Sequence, residues 1–216
     1  MVKRSALGRI PERGAYDDAS IHGILDAGFL AHIGFNVDGQ PFVIPTLYGR
    51  EDKHLFLHGS AASRMLRHLE AGISACVTVT IVDALVLARS AFNHSMNYRS
   101  VVLFGTARKL QQNEDKTAAL RVISEHLIPG RWKEVRAPSE KELKATTVLK
   151  FAVEDASAKV RSGPVSDDEE DYSFDTWAGL VPVRLVAGQP LADDRLLPGF
   201  RVPEHISCFA KRFRMD

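Results

Sequence analysis

The 216-residue sequence has only two cysteines and almost no excess charge, since 28 Lys and Arg face 27 Asp and Glu for a formal net charge of +1. Cys76, inside an apolar run, and Cys208, near the tail, are too few and too scattered for a disulfide framework or a thiolate metal site. Both are expected to be reduced, buried thiols. The missing basic excess removes the dense positive face needed to neutralise nucleic-acid phosphates, so no nucleic-acid partner is expected. No run approaches the roughly 18 consecutive apolar residues of a membrane span. The opening MVKRSALGRIPERGAYDD carries basic residues with no long apolar core behind them. A cytoplasmic protein without a membrane partner is the expectation. Internal repeats are absent as well.

With 45% apolar and 25% charged residues the composition is that of a globular protein, and the length suits one core. Residues 1–19, polar and broken by Pro11 and Gly14, form an N-terminal arm expected to drape on the surface. Residues 20–160 carry the main domain, and 161–216 an acidic loop, a closing strand and a tail that complete it.

From Ser20, Ile21, Ile24 and Leu25 fall at helical spacing, with Gly28 as the stop. The period then changes. FLAHIGFNV and PFVIPTLYG are β-rich runs joined by Asp38-Gly39, a dipeptide that accepts the positive φ angles of a tight hairpin. After a turn at REDK, HLFLH predicts a third strand beside the second. Ala62, Met65, Leu66, Leu69 and Ile73 then define an amphipathic helix. ISACVTVTIVDALVLARS predicts one bent strand or two, and NYRSVVLFGTARKL another, with Gly105 as a bulge or point of close approach. A helix runs from Asn113 through Leu127 to a stop at Pro129-Gly130, and Ser139 with Glu142 forms a capping box. TTVLKFAVED is a strand, SDDEEDY a solvated loop, and WAGLVPVRLV a closing strand. Six or so antiparallel strands interrupted by a few helices predict an α+β, mainly β fold, a small Greek-key barrel rather than a doubly wound sheet.

Chemistry gathers at LFLHGSAASRML, Leu55 to Leu66, where a strand gives way to a helix. Backbone N–H groups at a helix start attract anions. Ser60 can cap, Ser63 offers a hydroxyl and Arg64 a bidentate guanidinium. A surface cap and an ordinary helical arginine would look the same. His54 and His58, four residues apart on a strand, lie about 13 Å apart, too far to share a metal ion. No metal site is predicted.

In this order, PFVIPTLYG, LFLHGSAASRML and NYRSVVLFGTARKL resemble the flavin-binding split-barrel superfamily. The branch is that of pyridoxamine 5'-phosphate oxidase-like and nitroimidazole-reductase (Nim-type) proteins. The similarity runs from about Ile21 to Asp155 and includes SEKELKATTV. It implies a six-stranded antiparallel split barrel with flanking helices, a homodimer with flavin at the interface, and FMN as cofactor, with FAD the other possibility. It further implies flavin phosphate near Gly59, Ser60, Ser63 and Arg64, and the backbone of Pro45 and Thr46 along the ring. Tyr98, Arg99 and Ser100 would approach from either subunit, and Trp177 would close over the site or anchor the interface. His58 matches a residue near the flavin and is the candidate catalytic residue, to donate a proton to reduced substrate or to hold a small anion; its structural alternative is a histidine closing a strand end through a backbone hydrogen bond. Arg89, Asn93 and His94, in the loop before NYRS, would line a substrate mouth, and solvent-exposed loop polarity explains them equally well. The activity implied is FMN-dependent electron transfer from a reduced nicotinamide or similar donor to a small organic acceptor; the other reading is a flavin or haem carrier. The chain's end does not reproduce the arginine-and-histidine motif that grips substrate phosphate in vitamin B6 oxidation.

Overall fold

The structure is a computed structural model and describes residues 4–212, so Met1 to Lys3 of the expected arm and the last four residues of the tail lie outside the described residues. Six long strands carry the fold: β2 (Leu30–Val37), β3 (Gln40–Leu47), β5 (His54–Ser60), β6 (Ser74–Leu87), β7 (Ser95–Lys109) and β8 (Thr146–Arg161). Three short ones, β1 (Gly14–Ala15), β4 (Gly49–Glu51) and β9 (Gly179–Pro182), bring the strands among the described residues to nine. The helices are α1 (Asp18–Ala27), α2 (Arg64–Glu70), α3 (Asn113–Leu127), α4 (Glu140–Ala145) and α5 (Glu204–Arg212).

All pairings are antiparallel, in the order β3-β2-β6-β7-β8-β5-β4. β3 and β4 are therefore the two free edges. Yet only Tyr48 separates them in the chain, so the sheet has to curl until its edges meet, without a ladder closing them: a split barrel. Tyr48 is fully buried, its hydroxyl donates to Leu25 O at 2.6 Å, and its ring lies 4.8 Å from that of His126 on α3. This corrects the expected neighbour of the third strand. β5 pairs with β8 and with β4, the short continuation past Tyr48, and not with β3. On the β3 edge Pro41 and Pro45 withhold donors that a foreign strand could use.

The hairpin forms as expected, with φ of 51° at Asp38 and 81° at Gly39. β6 is one strand, bent where its register to β7 shifts between Val82 and Ala84. β8 runs six residues past the expected Asp155, because β1 and the far half of β7 continue its ladder. The arm is accordingly not merely draped. β1 adds to β8, and Ser5 is buried with its hydroxyl donating to Asp155 at 2.6 Å. Of the expected closing strand only Gly179–Pro182 pairs, with the end of β6. Asp17 caps α1, and the Ser139–Glu142 capping box opens α4. Cys76 is half-buried and Cys208 exposed, so the expectation of two buried thiols fails at Cys208, which sits on α5 outside the barrel.

The main core fills the barrel with residues such as Ile33, Leu55, Leu57, Val77, Leu103 and Phe151. A second cluster, Phe56, Leu110, Ala119, Ile123 and Val148, lies outside it under α3. Gly105 sits where β7 shifts register against β8, and a Cβ there would lie 1.9 Å from Ala152 O. Gly105→Ala is therefore expected to destabilise the protein by about 1–3 kcal/mol through forced backbone displacement. Urea unfolding measures it, and an unchanged midpoint would contradict the close approach.

Candidate cofactor site

β5 is covered on both faces, and alternation sorts its side chains. Leu55 and Leu57 enter the barrel core, while Phe56 and His58 face the α3 side. His58 opens on a cleft of about 520 Å³ lined by Leu120, Ile123, Leu127, Trp132 and Pro138, with Arg136 and Glu142 among its lining residues. Arg136 and Glu142 form a two-pronged ion pair of 2.5 and 2.7 Å. His58 Nδ1 is buried without a hydrogen-bond partner. The backbone hydrogen bond of its structural alternative is not made by that nitrogen. Such an orphan costs on the order of 1–3 kcal/mol. Burial also lowers the imidazole's pKa, so the ring is neutral near pH 7.

Two residues on, the chain leaves β5. Ser63 is the cap of α2, its hydroxyl accepting from Leu66 N at 3.4 Å, while Ser60 Oγ accepts from Ala62 N at 3.2 Å. The cap is thus Ser63 rather than Ser60, and α2 starts after Ala62 and stops before Ile73. Gly59 permits the tight corner, since a Cβ would lie 3.1 Å from Leu66 Cδ1. Arg64 is exposed, with its guanidinium 5.5 Å over the ring of Phe42 on β3. Phe35 stacks on Phe42 at 5.5 Å and lies 6.4 Å from His68 of α2. These contacts bring the β5–α2 junction against β3, the strand that carries Pro45 and Thr46 and leaves Val43 64% exposed. Gly59, Ser60, Ser63, Arg64, Pro45 and Thr46 therefore share one end of the barrel, with His58 beside them.

Tyr98, Arg99 and Ser100 do not join them within one chain. Ser60 is opposite Thr146 and Ser100 opposite Lys159, at the two ends of β8. That separation is on the order of 40 Å along a straight strand. Arg99 forks onto Asp83 at the β6 irregularity, at 2.7 and 3.0 Å, and Ser100 Oγ donates to Lys159 O at 3.4 Å. Trp177 is 66% exposed, so it anchors no core in this chain.

Arg89 and His94 secure a loop. His94 Nδ1 accepts from Ala88 N at 3.1 Å, and Asn93 turns its amide nitrogen inward without a partner. Arg89 binds Asp167 through its backbone N–H and its guanidinium, and covers the ring of Tyr172 at 5.0 Å. Asp167, in the run expected to be a solvated loop, thus has a buried carboxylate; the rest of that run holds a short 3-10 turn at Glu169–Ser173. Sequence reasoning missed this clamp, since one acid in an acidic run carries no distinguishing signal. It also missed the cleft facing His58. The Leu120, Ile123, Leu127 stripe on α3 was the available clue. Among the described residues no helix is long and apolar enough to cross a membrane.

An open antiparallel barrel with flanking helices and a strand-to-helix corner against its edge defines the split-barrel class. The family model for pyridoxamine 5'-phosphate oxidase matches residues 17–160, and the chain belongs to that family. Among solved structures it is similar to the flavocytochrome Anf3 from Azotobacter vinelandii, with 41% identity and a TM-score of 0.88, over 99% of this chain and 97% of that one. It is similar as well to the FAD and heme binding protein from Mycobacterium smegmatis, with 34% identity and a TM-score of 0.87, over 92% and 97%. A FAD-binding protein from Mesorhizobium loti shares the fold, with 21% identity and a TM-score of 0.51, over 69% of this chain and 98% of that one. No curated protein matches the chain.

The Asp167 clamp fixes where the C-terminal segment leaves the barrel. Burial raises its carboxyl pKa, but the hydrogen bonds from Arg89 outweigh this and leave it lowered. A lowered acid stabilises the fold above its unfolded value and ceases to as pH falls through its folded value. Wild type should exceed Asp167→Asn in thermal midpoint at pH 6, and the gap should shrink once pH falls below about 3.9. A gap independent of pH would contradict the assignment.

Proposed function

We propose that the protein binds a flavin and a haem and works as a redox protein of the flavocytochrome kind. One observation carries this reading. The relatives described as a flavocytochrome and as a FAD and heme binding protein match 99% and 92% of this chain, whereas the FAD-binding protein matches only 69%, close to the share taken by residues 17–160. The likeness to the two haem relatives thus continues past the barrel, into the segment that Asp167 anchors. The flavin is FAD in this reading, and FMN, which the narrower resemblance implied, is the other outcome of mass analysis.

The residues fit a flavin. Arg64 presents an exposed guanidinium in the first turn of α2, and the exposed backbone edge of β3 at Pro45 and Thr46 runs beside it. Ser60 and Ser63 line the same corner, their hydroxyl hydrogens free to turn to phosphate oxygens while their lone pairs accept from the backbone. Tyr98, Arg99, Ser100 and Trp177 complete the site from a second copy. A homodimer is supported by apolar residues left outward on β3 and along the C-terminal segment, including Val43, Phe174, Trp177, Leu185 and Phe200. Bound there, flavin supplies acceptance of a hydride from a reduced nicotinamide or similar donor and delivery of electrons to haem or a small organic acceptor. In a flavin-only form, His58 stands where an imidazole can hold or donate a proton. The cytoplasm is the proposed compartment.

The test is to purify the protein without added cofactor, record its visible spectrum and molar mass, and identify released chromophores by mass. A dimer with flavin absorbance and a haem Soret band is expected. Colourless protein that takes up neither cofactor when supplied would overturn the reading. Arg64→Ala should weaken flavin binding about 10- to 100-fold, the loss of one charge-assisted contact of roughly 1.5–3 kcal/mol, while far-UV dichroism is unchanged.

A further inference from the structure

We infer that His58 is an axial ligand of the haem iron, with the macrocycle seated in the cleft between the outer face of β5 and α3. This rests on the haem half of the reading above. An iron ligand has to offer a free, neutral imidazole nitrogen in a water-poor setting. His58 lines the cleft and is neutral because burial opposes its protonation; Nδ1 is buried and unpartnered, so Nε2, which makes no hydrogen bond either, is the nitrogen left to meet iron. The cleft suits a flat apolar group. Leu120, Ile123, Leu127 and Trp132 supply its walls, and its volume of about 520 Å³ lies in the roughly 300–1,000 Å³ range of cofactor sites. Arg136 stands among the lining residues as the cation for a haem carboxylate, in exchange for or alongside Glu142.

The other histidines offer less: His32 is exposed on β2, and His68 of α2 lies against the ring of Phe35. His126 is tied to Gly28 O at 2.9 Å, and His94 Nδ1 accepts from Ala88 N. His22 and His54 line a smaller depression crowded with Asp18, Arg50, Asp52 and Glu154. His205 has a buried, unpartnered Nε2, but it faces Glu134 at 3.4 Å and is not among the residues lining the cavity beside it. His58 has a further consequence. Ser60 of the proposed flavin corner follows two residues later on the same face of β5, about 7 Å along the strand, so one strand end would hold both cofactors close together.

Ferric haem titrated into the full chain tests the assignment. Wild type is expected to bind with a histidine-type Soret band. His58→Gly should bind at least tenfold more weakly with a shifted band, and millimolar imidazole should restore the wild-type spectrum, which loss of fold could not produce. His58→Met, which keeps the volume, should bind with a different, thioether-type spectrum. His205→Ala should behave as wild type. Wild-type spectra and affinity in both His58 variants, or loss of the band in His205→Ala alone, would overturn the assignment while leaving haem binding standing. A wild type that takes up no haem would remove both the assignment and the haem half of the proposed function.

Discussion

One buried tyrosine joins the two free edges of the sheet. Because β3 ends at Leu47 and β4 begins at Gly49, Tyr48 forces a sheet whose edges never hydrogen-bond to curl into a barrel. Its hydroxyl on Leu25 O and its ring against His126 tie that seam to α1 and α3. Gly49 lets the seam lie directly on α3, since a Cβ there would come within 2.6 Å of Ile123 Cα. The α3 layer, and with it the second apolar cluster and the cleft at His58, follows from this closure.

The closure also divides the labour of β5. Its inward residues are structural, fully buried among core side chains; its outward residues end in an imidazole without a partner and a serine at the helix corner. The proposed cofactors use this outward face and the β3 edge that Arg64 bridges through Phe42. The far end of the β6–β7–β8 meander is organised differently, by the Arg99–Asp83 fork, by β9, and by the Arg89–Asp167 clamp that starts the exposed C-terminal segment. The two ends lie far apart along β8, and the proposed dimer would place the far end of one copy against the corner of the other.

Local chemistry was the legible part of the sequence. Asp38-Gly39 announced its hairpin because few other pairs accept two positive φ angles, and Ser139 with Glu142 announced its cap because both hydrogen bonds are made within three residues. Gly105 was readable as a close approach for want of a side chain. Long-range partners were not. The apolar pattern of β5 fits any neighbour, so nothing local reveals that it pairs with β8, about ninety residues on, instead of β3. β1, β4 and β9, at two to four residues, carry too few side chains for a period. At the site, the histidine, serines and arginine stood out by type, but the register that makes Ser63 the cap and sends Tyr98, Arg99 and Ser100 to the opposite end is a property of the fold.

The central claim is that the β5–α2 corner and the outer edge of β3 form the flavin-holding end of each subunit. Amide hydrogen exchange of the purified protein, with and without saturating FAD, tests it most directly. Protection should rise over residues 42–47 and 58–66 while α1 stays unchanged. FAD binding that leaves both segments as they were, and protects other surfaces instead, would contradict it.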